Sequence, residues 1–143
     1  MANEGGVIVV PTDFEEASVK ALDLAKDLAG RIGAEVVLVH VYSLPVYTYP
    51  GLEPGLLPGF HSEVMAAARR ALEQLGVAQG GLRTMLREGD AAIEILDAAK
   101  DLGARFIVMG THGRRGLSHL FLGSVAERVV RRSPVPVMTV RAP

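Results

Sequence analysis

Cysteine is absent from the 143 residues, which excludes a disulfide scaffold, a thiolate zinc site and a cysteine nucleophile. Tryptophan is absent too, and aromatic residues make up only 5% of a chain that is 49% hydrophobic. The core must therefore be built from Val, Leu, Ile, Ala and Met, which favours helices packed on a branched-aliphatic sheet. Neither sign of charge dominates: 15 basic and 16 acidic side chains leave a formal net charge of -1. No general field draws in nucleic acid or anionic lipid, so neither is an expected partner and any polyanion must be recognised locally. Lysine is scarce, with only Lys20, Lys26 and Lys100 beside the arginines, and no function follows from that. Charges interrupt every apolar run before it reaches the length of a membrane span. Met1 to Gly6 carries no basic region followed by an apolar stretch, so a cytoplasmic location is expected.

What is present is an alternation of short apolar runs and helical periods. Val7 to Val10 reads as a strand buried on both faces, stopped by Pro11-Thr12-Asp13. Ala21, Leu24, Ala25, Leu28 and Ile32 then recur at helical spacing, with Asp13 as the N-cap and Glu16 as its capping-box partner. Glu35 to Val41 repeats the strand signature. Ser43 to Phe60 carries four prolines and three glycines, which neither helix nor sheet absorbs. Such a long loop is a lid or a surface insertion, and Tyr47 and Tyr49 give it some capacity to cover a ligand. A second helix is expected from about His61 to Leu75. Leu82 to Arg87 alternates as a half-exposed edge strand does. Asp90 caps a third helix, closed by Gly103, and Arg105 to Met109 is a further buried strand ending at Gly110. Ser124 with Glu127 reads as a capping box for a fourth helix, and Val135 to Val140 as a last strand.

The order β-α-β-α-β-α-β-α-β has no composition break, so residues 1–143 read as one domain. With right-handed crossovers it makes a doubly wound, Rossmann-like five-stranded parallel sheet, an α/β fold with helices on both faces. Such sheets bind ligands beyond the carboxyl ends of the strands where the strand order reverses, which directs attention to the loops after strands one and four.

The loop after strand four reads Gly110-Thr111-His112-Gly113-Arg114-Arg115-Gly116, and Gly123-Ser124 then opens a helix. Glycines let a backbone approach a phosphate, while free amides and the positive dipole end of the helix stabilise the anion. Ser124 either caps the helix or donates to phosphate, and capping is the simpler role. The loop is neither a Walker loop nor a G-x-G-x-x-G fingerprint. Arg114 and Arg115 can each contact phosphate oxygens, and the simplest arrangement is one inward and one solvated. His40, His61, His112 and His119 show no metal-ligand spacing, so no protein metal site is assigned, although His112 could touch phosphate. No catalytic residue is assigned either. Asp13 is the only obvious carboxylate for phosphoryl transfer, so any hydrolysis should be slow.

Gly110-x2-Gly113-x9-Gly123-Ser124 resembles the G-2X-G-9X-G(S/T) nucleotide motif of the universal stress protein family. Pro11-Thr12-Asp13, Val39-His40-Val41 and Pro134-Val135-Pro136-Val137 are similar to the same family, and the likeness spans the chain except the Pro/Gly-rich loop. It implies an ATP site, with any Mg held through the phosphates. Pro11, Thr12, Asp13 and the Val41 backbone would hold the adenosine. Gly110, Thr111, His112, Gly113, Arg114, Arg115, Gly116, Gly123, Ser124 and Val125 would surround the phosphates. It also implies a homodimer through the C-terminal strand, by Val135, Pro136, Val137 and Val140. The expected function is that of an ATP-binding regulatory protein of the stress response, with slow ATP hydrolysis as the alternative. A flavodoxin-like FMN carrier fits less well, because only Tyr47 and Tyr49 could stack on a flavin.

Overall fold

The computed structural model describes residues 4–44, 58–111 and 122–142. In chain order its elements are β1 (Val7–Pro11), α1 (Glu16–Ile32), β2 (Glu35–Tyr42), α2 (Pro58–Ala78), β3 (Arg83–Glu88), α3 (Ala91–Asp101), β4 (Ala104–Gly110), α4 (Ser124–Arg132) and β5 (Val137–Val140). The five strands form one sheet in the order β3-β2-β1-β4-β5, and every pair is parallel. The doubly wound α/β architecture expected from the sequence is thus the one observed.

Strand residues alternate between two cores because successive side chains leave opposite faces of a sheet. Val9, Val37, Val39, Ile107 and Met109 pack with α3 and α4 on one face. Ile8, Val10, Val36, Leu38 and Val108 pack with α1 and α2 on the other. This is why β1, β2 and β4 read as unbroken aliphatic runs, whereas the edge strand β3 keeps only half-buried or exposed residues.

Several local details depart from the sequence reading. Leu24 is 40% exposed, and α1 buries Ala17, Ser18, Ala21, Leu22, Ala25 and Ala29 instead. Small residues on this face let the helix lie close to the sheet. Helix α2 is longer than expected, by about a turn at each end, and takes in Pro58 to Phe60 from the stretch read as loop. β5 begins at Val137, so Val135 and Pro136 precede the strand. The carbonyl of Pro136 still joins the ladder by accepting from Ile107 N at 3.0 Å. Asp90 caps α3 as expected, accepting from Ile93 N at 3.0 Å.

Candidate functional site

The strand order reverses between β1 and β4, since the connection from β3 through α3 returns across the sheet to place β4 beside β1. The carboxyl ends of β1 and β4 therefore face the crevice such sheets use for ligands. β2 also reaches it. Its register with β1 ends at Pro11 opposite Val39, while β2 continues to Tyr42. Backbone groups alternate sides along a strand. Val39 O accepts from Thr12 N on the β1 side, and Tyr42 O accepts from Gly89 N on the β3 side. Val41 accordingly turns its amide and carbonyl toward β1, at a level where β1 has no residue to pair with them. Among the described residues nothing pairs with that strand edge, which offers a donor and acceptor pair for the rim of a flat base.

The turn after β1 is built around Thr12, which is buried. Its amide donates to Val39 O at 2.8 Å, and its carbonyl accepts from His40 Nδ1 at 2.7 Å. Its hydroxyl oxygen accepts from Phe14 N at 3.0 Å and lies 3.2 Å from Ser18 Oγ. Ser18 Oγ donates its own proton to Glu15 O, so the proton between the two hydroxyls is that of Thr12. Every polar group of Thr12 is thus engaged within the protein. The chain then turns at Phe14, whose φ of 67° is the only positive value among the described non-glycine residues. The N-cap of α1 is Glu15, not Asp13, and no side chain caps the helix. The Asp13-Glu16 capping box is therefore absent. The reason is local: Asp13 Oδ1 accepts from Glu15 N at 2.9 Å, which uses the carboxylate in a tighter turn before the helix begins.

The end of β4 meets the same turn through α1. A Cβ added at Gly110 would lie 2.8 Å from the carbonyl carbon and from Cβ of Ala17, and 2.9 Å from Ser18 N. Glycine is thus demanded here by the close passage of β4 under the first turn of α1. Thr111, also buried, donates from its amide to Val140 O at 2.9 Å and accepts from Gly123 N at 2.6 Å. This bond fixes where α4 starts. Gly123 is the N-cap, in extended conformation, its carbonyl accepting from Glu127 N at 2.9 Å. Ser124 is consequently the first helical residue and exposed, and the Ser124-Glu127 capping box is out of register by one. Glu127 pairs instead with Arg131 one turn on. Among the described residues no side chain caps the first turn of α4 and none engages its opening amides or the Ser124 hydroxyl, beside Val125, which packs against the core.

The structure thus gathers Pro11, Thr12, Asp13, Gly110 and Thr111 at the carboxyl ends of neighbouring strands, with Val41 on the adjoining strand and Gly123, Ser124 and Val125 tied in through Thr111. His112, Gly113, Arg114, Arg115 and Gly116 lie outside the described residues, as do His119, Tyr47 and Tyr49. Sequence reasoning missed Phe14 and the roles of His40 and Ser18. The ring of Phe14, 37% exposed, packs on that of His40 with centroids 4.6 Å apart at 51°. No sequence signal marks a phenylalanine for positive φ, and a histidine after three valine-rich positions gives no hint of its partner.

Two polar groups flank this region. At the β3 edge, His61 Nε2 lies 3.3 Å from Glu88 Oε2, which Tyr42 OH approaches at 3.5 Å. Burial, then the Glu88 charge and hydrogen bond, raise the Tyr42 phenol above its ordinary pKa, with Arg69 opposing. Arg128 on α4 donates to Asp90 Oδ1 at 2.9 Å, joining α4 to the cap of α3. That bond, followed by the one from Ile93 N, holds the Asp90 carboxyl below the ordinary aspartate range. Among the described residues no group of three His, Asp or Glu is placed to hold a metal ion, and no helix is long and apolar enough to cross a membrane.

Comparison with known proteins matches residues 6–141 to the model of the universal stress protein family. Universal stress protein MJ0531 of Methanocaldococcus jannaschii is 35% identical over 142 residues, covering 95% of this chain and 82% of that protein. The solved structure of MJ0577, from the same organism, superposes with a TM-score of 0.77 at 28% identity, covering 98% of each chain. A universal stress protein solved in complex with cAMP shares the fold, with a TM-score of 0.58 at 24% identity over 95% of this chain and 96% of that one.

Proposed function

The chain belongs to the universal stress protein family, and from that premise we propose that it is a single-domain regulatory protein that binds ATP and changes its conformation or its partner in response. The observation that carries the proposal is the set of backbone groups at the switch point that no described residue engages. Val41 presents its amide and carbonyl past the end of β1, and the first turn of α4 opens at Gly123 without a side-chain cap. The first suits the edge of an adenine, and the second suits phosphate. Asp13, half-buried with one carboxylate oxygen on Glu15 N, has a second oxygen for a ribose hydroxyl or an amino group. A relative of the same fold holds a nucleotide, cAMP, which supports the class of ligand. The phosphates would rest on Gly113, Arg114 and Gly123 to Val125, with any Mg held by the phosphates themselves.

Thr12 serves this reading by shaping the turn, because its own polar groups are occupied by protein, and Gly110 by admitting the close approach of α1. Assembly as a homodimer through β5 belongs to the same proposal. β5 is an edge strand whose Val137 and Val140 are half-buried and whose Met138 is 43% exposed. A cytoplasmic setting suits a cysteine-free nucleotide binder. ATP affinity measured by calorimetry for the wild type and for Gly113→Val and Gly123→Val tests the site: both variants should bind at least ten-fold more weakly. Equal affinities would remove the glycine loop from it. Turnover of roughly one per second or faster with Mg and ATP would make the protein an enzyme instead.

A further inference from the structure

We infer that His40 is a positioning residue for the nucleoside half of the ligand, acting by locking the β1–α1 turn to the end of β2. The inference rests on the nucleotide reading above. His40 follows Val39, whose carbonyl receives Thr12 N, and precedes Val41, whose bare edge faces the crevice. The His40 ring crosses from β2 to the neighbouring turn, its Nδ1 lying 2.7 Å from the carbonyl of Thr12. A carbonyl can only accept, so Nδ1 carries the proton, and this defines the tautomer of the neutral ring with Nε2 as the bare nitrogen. This side chain thereby adds to the Thr12 N to Val39 O bond a second tie between the two elements proposed to grip the nucleoside, those of Asp13 and Val41.

The same ring supports the strained part of the turn. Phe14, with φ 67°, occupies a backbone region that a bulky L-residue adopts only when its surroundings enforce it. Two contacts do so: its amide donates to Thr12 Oγ1, and its ring packs on His40. Removing the imidazole takes away the ring contact and the bond to Thr12 O together, while Thr12 N and the Thr12 hydroxyl keep their partners. The turn is then held to β2 by the Thr12 N to Val39 O bond alone, and the sheet is untouched. Asp13 lies between the two residues released, Thr12 and Phe14, so its carboxylate is the group whose placement changes.

The test compares ATP and ADP affinities for the wild type, His40→Leu, His40→Asn and His40→Gln, together with the thermal melt of each nucleotide-free protein. The asparagine amide nitrogen occupies the place of Nδ1 and preserves the donor to Thr12 O, whereas that of glutamine corresponds to Nε2. His40→Leu should bind ATP and ADP more weakly by one common factor, roughly ten-fold, the worth of one positioned hydrogen bond. Asparagine should stay within about three-fold of the wild type and glutamine should not. Unchanged affinity in His40→Leu overturns the inference, as does a loss for ATP much larger than for ADP, which would place the effect at the phosphates. If His40→Leu does not fold, the remaining pair decides: asparagine binding more tightly than glutamine supports it, and equal or reversed order overturns it. A wild type that binds neither nucleotide defeats the nucleotide reading itself, a result distinct from all of these.

Discussion

Replacing Gly110 by alanine adds one carbon where the first turn of α1 already lies. The new Cβ would stand 2.8 Å from two carbons of Ala17 and 2.9 Å from Ser18 N, whereas carbon pairs are comfortable at about 3.5–4.0 Å. Relief requires β4 and α1 to part by roughly 0.7 Å or more. Neither side can turn a side chain away, because two of the three atoms met are backbone and the third is a Cβ fixed to it. The shift would also disturb Ser18, whose hydroxyl is bonded to Thr12. Overpacking of this kind costs about 1–3 kcal/mol, and the rigid neighbours place this site in the upper half of that range, about 2–3 kcal/mol. At roughly 3 °C per kcal/mol for a domain of this size, the melting temperature should fall by about 6–9 °C. Differential scanning calorimetry of the nucleotide-free protein reads it directly. A melt within a degree of the wild type would mean that glycine is not needed there for packing, and would return its role to the ligand alone.

The complementary substitution is Gly30→Ala on α1, where an added Cβ meets nothing within 4 Å; it should stabilise by about 0.5–1 kcal/mol in urea titration, and a loss of stability would refute the reading. Asp90 carries a lowered pKa through Arg128 and then Ile93 N. Its contribution is therefore complete above the ordinary aspartate value of about 3.9 and disappears as pH falls through its lower folded value. The melting-temperature gap between wild type and Asp90→Asn should close on acidification, and a gap independent of pH would contradict the pairing. The Tyr42 phenol is raised by burial and by Glu88. Its contribution holds below the ordinary tyrosine pKa of about 10 and fades as pH rises through the higher folded value. In absorbance at alkaline pH, an ionisation step later than that of a free tyrosine should be present in the wild type and lost in Tyr42→Phe; a late step persisting in Tyr42→Phe would assign it elsewhere. Met138→Lys, on the exposed side of β5, should convert a dimer to a monomer by light scattering, and an unchanged mass would exclude that edge.

The sheet was legible because its physics is one-dimensional: Val7 to Val10, Val36 to Val39 and Phe106 to Met109 are apolar on both faces and must be covered on both. The alternation of Arg83 to Arg87 likewise announced an edge. Caps were less legible. Asp13 and Ser124 carry the right chemistry, but the start of each helix is set by bonds from distant chain. Thr111 O holds Gly123 N, and Thr12, pinned by Val39 and His40, dictates the turn that Asp13 joins. Gly110 was recognisable as a residue that needs to be glycine, though the reason lay in α1, which no spacing rule contains. Leu24 fell on the wrong face because Leu22, with Ala17, Ala21, Ala25 and Ala29, lines the contact of α1 with the sheet.

Thr111 has a mechanical meaning beyond its place in the motif. Its amide is fastened to Val140, the last residue of the outermost strand, and its carbonyl to Gly123, the first step into α4. Those two peptide groups make a short rigid lever with the molecular margin at one end and the mouth of the crevice at the other. Sliding β5 along its axis cannot proceed without dragging the lever, so whatever docks against that margin and whatever fills the mouth share a single residue.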